Sequence, residues 1–106
     1  MIDSKVLGLI GLAMKAGKVC FGADSVEENI LKKKVKLVII SNDSSERTKS
    51  KFIEICNKNN IPVIIDGEID ILSKTIGKNN KAILGIKDVN FADLIQKKYN
   101  GGDVIG

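Results

Sequence analysis

Apolar positions in this chain recur at two periods, and the alternation between them predicts its elements. Over residues 4–16, Leu7, Ile10, Ala13 and Met14 fall at helical spacing with Lys5 and Lys15 off that stripe, and Gly17 stands where a helix C-cap glycine belongs. Residues 18–22 carry Val19 and Phe21 and read as a short extended piece. A second helix then opens at Ala23 or Asp24, with Val26, Ile30 and Leu31 as its apolar stripe and Lys32-Lys33-Lys34 at its far end, where the helix dipole favours cations. Residues 36–41 hold the continuous run Leu37-Val38-Ile39-Ile40, the pattern of a central strand buried on both faces of a largely parallel sheet.

The pattern switches back at Asp43-Ser44-Ser45-Glu46, which resembles a capping box, and a third helix to about residue 59 puts Thr48, Phe52, Ile55, Cys56 and Asn59 on one face. Residues 61–65 form another strand, with Pro62 near its start, where a missing N–H costs least. Asp66-Gly67 turns the chain into a helix over residues 68–76 ended by Gly77, and residues 81–86 make the last strand. Asp88 or Asn90 caps a fifth helix bearing Phe91, Leu94 and Ile95. Strands alternating with helices predict an α/β fold with helices on both faces of a sheet of about four strands, as one domain over residues 1–99 with a frayed tail over 100–106.

Composition narrows the chemistry. At 106 residues and 43% hydrophobic, the chain supports one core and no second. Its apolar runs fall far short of the roughly 20 residues that span a bilayer, and the start, Met1-Ile2-Asp3-Ser4-Lys5, lacks the form of a secretory signal, so the expected location is the cytoplasm and no membrane partner is expected. Without a single His, Ser-His and Cys-His nucleophile pairs and His-based metal sites are excluded. Cys20 and Cys56 are too few for a zinc set or a disulfide framework and read as buried thiols.

Two segments imitate functional motifs. Gly11 to Lys18 resembles a phosphate-binding loop, but five residues separate the glycines where the motif needs four, Val19 replaces the Ser or Thr, and the segment ends a helix instead of starting one. Asp66, Glu68 and Asp70 could offer oxygens to a hard cation, but a turn leading into a helix recruits acids for capping alone, and no distant bidentate Glu completes a calcium loop. Neither supports an enzyme, a cofactor or a small-molecule substrate.

The charge is more informative. Lys+Arg number 17 against 13 Asp+Glu, with Arg47 the single Arg, and the cations cluster at residues 32–36, at Arg47, Lys49 and Lys51, and at Lys74, Lys78 and Lys81. Lysines suit phosphates as point charges, whereas bidentate reading of guanine needs Arg. Aromatics, at 4% and mostly at core spacing, do not furnish a stacking platform. A lysine-rich surface also serves solubility alone, so charge does not decide the partner.

The run Leu7-Gly8-Leu9-Ile10-Gly11-Leu12-Ala13-Met14-Lys15-Ala16-Gly17-Lys18, then Gly22, then Lys36 to Ser45, Asn60-Ile61-Pro62-Val63, Leu72 and Gly77, resembles the ribosomal L-seven-Ae / L-thirty-e superfamily, and more closely its bacterial YlxQ-type members. The resemblance spans about residues 4–96 and implies a three-layer α-β-α sandwich around a four-stranded mixed sheet, with binding of kink-turn RNA as its activity and no catalysis. It implies a first RNA contact at Gly22 and Ala23, followed in the family by an Asn-Glu pair and a Lys three residues after the Glu; this chain has Asp24-Ser25 and Glu28 there. Asp24 can accept from base amino groups, but Asp24 and Glu28 both repel phosphate. The second implied contact is the loop Lys78-Asn79-Asn80-Lys81, polar and basic where the family is often apolar.

The resulting expectation is a monomeric, cytoplasmic, ribosomal or ribosome-associated protein that gathers Lys18, Gly22, Ala23, Asp24, Ser25, Glu28, Lys78, Asn79, Asn80 and Lys81 at one cationic end of the sandwich to hold structured RNA. The alternative is a protein-interaction module on the same scaffold that has lost kink-turn recognition.

Overall fold

The computed structural model describes residues 2–101. Of the tail expected over 100–106, Asn100 and Gly101 are not frayed: their amides donate to the Gln96 and Lys98 carbonyls at the end of the last helix, and 102–106 lie outside the described residues. Nine elements follow one another: α1 (Ser4–Lys15), β1 (Val19–Phe21), α2 (Ala23–Leu31), β2 (Leu37–Ile40), α3 (Glu46–Lys58), β3 (Val63–Ile65), α4 (Ile69–Thr75), β4 (Ile83–Ile86) and α5 (Val89–Tyr99). The four strands make one sheet in the order β1-β4-β2-β3. β4 runs antiparallel to both β1 and β2, and β2 is parallel to β3, so the expected mixed sheet is present.

Burial divides by strand parity because side chains alternate across a sheet. Leu37, Ile39, Leu84 and Ile86 pack with Val6 and Ile10 of α1, Leu72 of α4 and Ile95 of α5. Val38, Ile40, Cys20 and Ile83 pack on the other face with Val26 and Ile30 of α2 and Phe52 and Cys56 of α3. Three helices on one face and two on the other complete an α-β-α sandwich, and β2, covered twice, needs apolar residues at every position.

Several expectations are corrected. Leu31 is not part of the α2 stripe: it closes the helix at 69% exposure, while Val26 and Ile30 are buried. Asp43 does not cap α3. Ser45 does, accepting from the Thr48 amide at 3.2 Å, and Asp43 instead accepts from the amide of Ile69 at 2.9 Å, tying the β2–α3 loop to the start of α4. The last strand starts at Ile83 and not at Lys81, whose amide is held by a side chain of α4. Asp88, not Asn90, caps α5 through the Phe91 amide at 2.9 Å.

Candidate nucleic-acid interface

With β1, β2 and β3 all running the same way, their carboxyl ends meet at one edge of the sheet, together with the starts of α2, α3 and α4 and the loop that feeds β4. In open α/β sheets this edge is where ligands are received, because helix N-termini present free amides there. Its hydrogen bonds join neighbouring connections. The Gly22 amide donates to the Ile83 carbonyl at 2.9 Å, and the Ser41 amide donates to that of Ala82 at 2.9 Å.

Gly22 takes φ +89°, a left-handed conformation open to glycine and strained for other residues, and it leads directly into α2. No side chain caps this helix. The first-turn amides of Ala23, Asp24 and Ser25 therefore face the edge with only the exposed Asp24 carboxylate to complement the dipole. One turn on, Glu28 forms an ion pair with Lys32 at 2.9 Å, and the bond from that ammonium holds the Glu28 carboxyl below the usual carboxylate range. The acid in the family's lysine position is thus already partnered.

The second loop is positioned by a buried hydroxyl. Ser73, on α4, accepts from the Lys81 amide at 2.7 Å and donates to the Lys81 carbonyl at 3.3 Å, while its own carbonyl accepts from the Lys78 amide at 2.8 Å. Gly77 at φ +70° and Asn80 at φ +54° make the two sharp bends between these anchors. Lys78, Asn79 and Asn80 project from the loop into solvent.

Phe21 brings the two segments together. Its ring, at the end of β1 and only partly buried, lies 5.2 Å from Lys78 Nζ and 5.8 Å from Lys81 Nζ. Cation–π attraction at this range is worth about 0.5–1 kcal/mol at an exposed site and holds both ammonium groups beside Gly22. Spacing alone made Phe21 a core residue; the clue to its second role was its place immediately before the glycine that opens α2.

Lys18 does not join this group. It precedes β1 whereas Gly22 follows it, so the strand separates them by about 13 Å at roughly 3.3 Å per residue. Nor is the edge uniformly cationic: Asp24, Asp43 and Glu68 stand among Lys78 and Lys81, and the lysines at 32–36 lie at the far end of the sheet. Asp66, in the acidic turn, accepts from the Tyr99 hydroxyl at 2.9 Å and from the Gly67 amide at 2.7 Å. Among the described residues no cluster of three or more His, Cys, Asp or Glu is arranged to hold a metal. No described helix is long and apolar enough to cross a membrane.

A family model for the ribosomal protein L7Ae/L30e/S12e/Gadd45 family matches residues 4–95. The chain belongs to this family. Within it, two curated relatives stand near: an Enterococcus faecium protein 36% identical over 92% of this chain and 93% of its own length, and a Bacillus subtilis protein 33% identical over 80% and 85%. Both are named RNA-binding protein YlxQ, and this chain is of the YlxQ type. A solved structure of a Bacillus halodurans protein of unknown function superposes with a TM-score of 0.89 at 32% identity, covering 92% of this chain and 99% of that one. The Giardia lamblia 15.5kD RNA binding protein shares the fold, with a TM-score of 0.77 at 16% identity over 95% and 92% of the two chains. The family and its named relatives are not described as enzymes.

Proposed function

We propose that the protein binds structured RNA through the edge built from Gly22, Ala23, Asp24 and Ser25 and from the loop Lys78-Asn79-Asn80-Lys81, with no catalytic step. The observation that carries this reading is the convergence of Lys78 and Lys81 on Phe21, beside the uncapped start of α2. The names of the YlxQ relatives support it.

Each group has a chemical role. The α2 amides donate to phosphate or base oxygens, and Gly22, with open space where a Cβ would stand, admits the RNA backbone closely. Asp24 accepts from exocyclic amino groups, the donors that mark cytosine, adenine and guanine. Asn79 and Asn80 offer amide donors and acceptors to an unstacked base, and Lys78 and Lys81 neutralise phosphates. Mixed charge suits an RNA that presents base edges as well as backbone, so the target is an internal loop with splayed bases of the kink-turn kind, in ribosomal RNA and in the cytoplasm.

The test is filter binding of the full chain to a kink-turn hairpin and to a fully paired hairpin of equal length, across a salt series. Binding that prefers the kink-turn RNA and weakens steeply with salt is expected, with the preference reduced in Phe21→Leu and Asn79→Ala. A flat salt response without preference would reject the reading and favour a protein partner.

A further inference from the structure

The opposite end of the sheet holds a denser set of cations than the edge just described. Lys18 and Lys87 face each other across β1 and β4, the Lys87 amide donating to the Lys18 carbonyl at 2.7 Å. Lys36 lies on the other side of β4, its amide donating to the Ile86 carbonyl at 2.7 Å. Neighbouring strands are about 4.8 Å apart, so these three backbones fall within roughly 10 Å of one another. α2 ends in the same region, and Lys33 and Lys36 share the wall of a cavity of about 530 Å³ with Lys58 and Asn60.

Local structure accounts for only part of this set. Lys32 caps α2, and Lys33 and Lys34 follow directly after it, where the dipole still favours cations. Lys36 and Lys87 sit at strand ends, where no dipole asks for them and where like charges on adjacent strands repel. Nor are they neutralised. Lys32 is paired with Glu28 and Lys58 with Glu54, but the ion pairs among the described residues include none from Lys18, Lys33, Lys34, Lys36 or Lys87. The acid next in sequence, Asp88, is turned to the Phe91 amide.

We propose that this end is a second, sequence-independent phosphate site: RNA held at the Gly22 edge continues along β1, the outer strand of the sheet, and lays its backbone on Lys18, Lys36 and Lys87. The inference rests on the RNA-binding reading above. β1 is three residues long, so the two sites are close enough for one folded RNA to reach both. Lysines contribute charge without reading bases, so this surface adds affinity and steepens salt dependence but leaves target preference untouched.

The decisive experiment compares the wild-type chain, the triple variant Lys18→Gln/Lys36→Gln/Lys87→Gln and a charge-matched control, Lys5→Gln/Lys15→Gln/Lys97→Gln, on the kink-turn and paired hairpins. In the first triple variant, affinity should fall at least tenfold at low salt for both RNAs alike. The slope of log K against log salt should shrink by about 2, at about 0.7–0.9 per lost contact. A triple Lys→Arg variant should restore both. Equal losses in the control would overturn the proposal in favour of a net-charge effect. An unchanged slope, with kink-turn preference still sensitive to Phe21→Leu, would overturn it while the edge reading stands. Absence of RNA binding by the wild type would overturn both.

Discussion

Ser73, buried on α4, holds Lys81 by both its backbone groups, accepting from the amide at 2.7 Å and donating to the carbonyl at 3.3 Å. One hydroxyl thereby sets where the 78–81 loop rejoins the sheet, and hence where Lys81 meets Phe21. In Ser73→Ala the Lys81 amide loses its partner, a loss of about 1–3 kcal/mol in unfolding free energy. Urea denaturation should show that drop, and RNA affinity should fall with little change in salt slope, since no charge has been removed.

Gly85 on β4 is required by its neighbour Cys20. A Cβ on Gly85 would stand 2.7 Å from Cys20 Sγ and 3.4 Å from Val35, so the sulfur opposite it in the β1–β4 pairing would have to shift. Gly85→Ala should destabilise the fold by about 1–3 kcal/mol. Adding Cys20→Ala removes the sulfur and should recover a substantial part of that loss. A double-mutant cycle in denaturant checks the coupling.

Glu28 is neutralised by Lys32, so Glu28→Lys both removes an acid and frees a cation on α2. RNA affinity should rise several-fold at low salt, and the salt slope should steepen by about 1 to 2. A module that binds a protein in place of RNA would show neither change.

The Tyr99–Asp66 bond gives stability a defined pH window. Burial raises the Asp66 carboxyl, the Gly67 amide and the Tyr99 hydroxyl are among the groups that lower it, and its pKa lies below the ordinary value; burial and the Asp66 carboxylate raise that of Tyr99. A depressed carboxyl stabilises the fold above its unfolded pKa of about 4 and loses that contribution as pH falls through the folded value. A raised phenol stabilises it below about pH 10 and loses that contribution as pH rises. Tyr99→Phe should cost about 1 kcal/mol near neutrality. The gap from wild type should narrow at both extremes, as thermal melts across pH would record.

Both thiols should be inert in the native state. Burial pushes Cys56 up to about 11 and also raises Cys20, so the reactive thiolate is scarce at neutral pH. Mass spectrometry after iodoacetamide at pH 8 should find neither cysteine alkylated in native protein and both in urea.

Much of the fold was legible from the chain because local signals and tertiary demands agree. Leu37-Val38-Ile39-Ile40, short and β-branched, reads as a strand buried on both faces and is one, and Gly17 and Gly77 end their helices in left-handed turns. Misreadings arose where a side chain answers a partner distant in sequence. Asp43 looks like a local cap but serves Ile69, 26 residues away, and Lys81 looks like strand but hangs from Ser73. The candidate site was half legible. Gly22 to Ser25 and the 78–81 loop do converge, but Lys18, near Gly22 in sequence, is carried to the other end by the strand between them. Phe21 both packs against the core beside α1 and carries two lysines, and periodicity reveals only the first of these roles.

Both outer strands of the sheet are poor templates for another chain. β1 offers three residues bounded by the charged Lys18 and the bend at Gly22; β3 offers three, preceded by Pro62, which has no amide to donate. Sheet-to-sheet zippering needs a long, flat run of open hydrogen-bonding groups, and neither border provides one. Even when crowded together along one polynucleotide, copies of this protein should stay separate rather than fuse into a continuous ribbon.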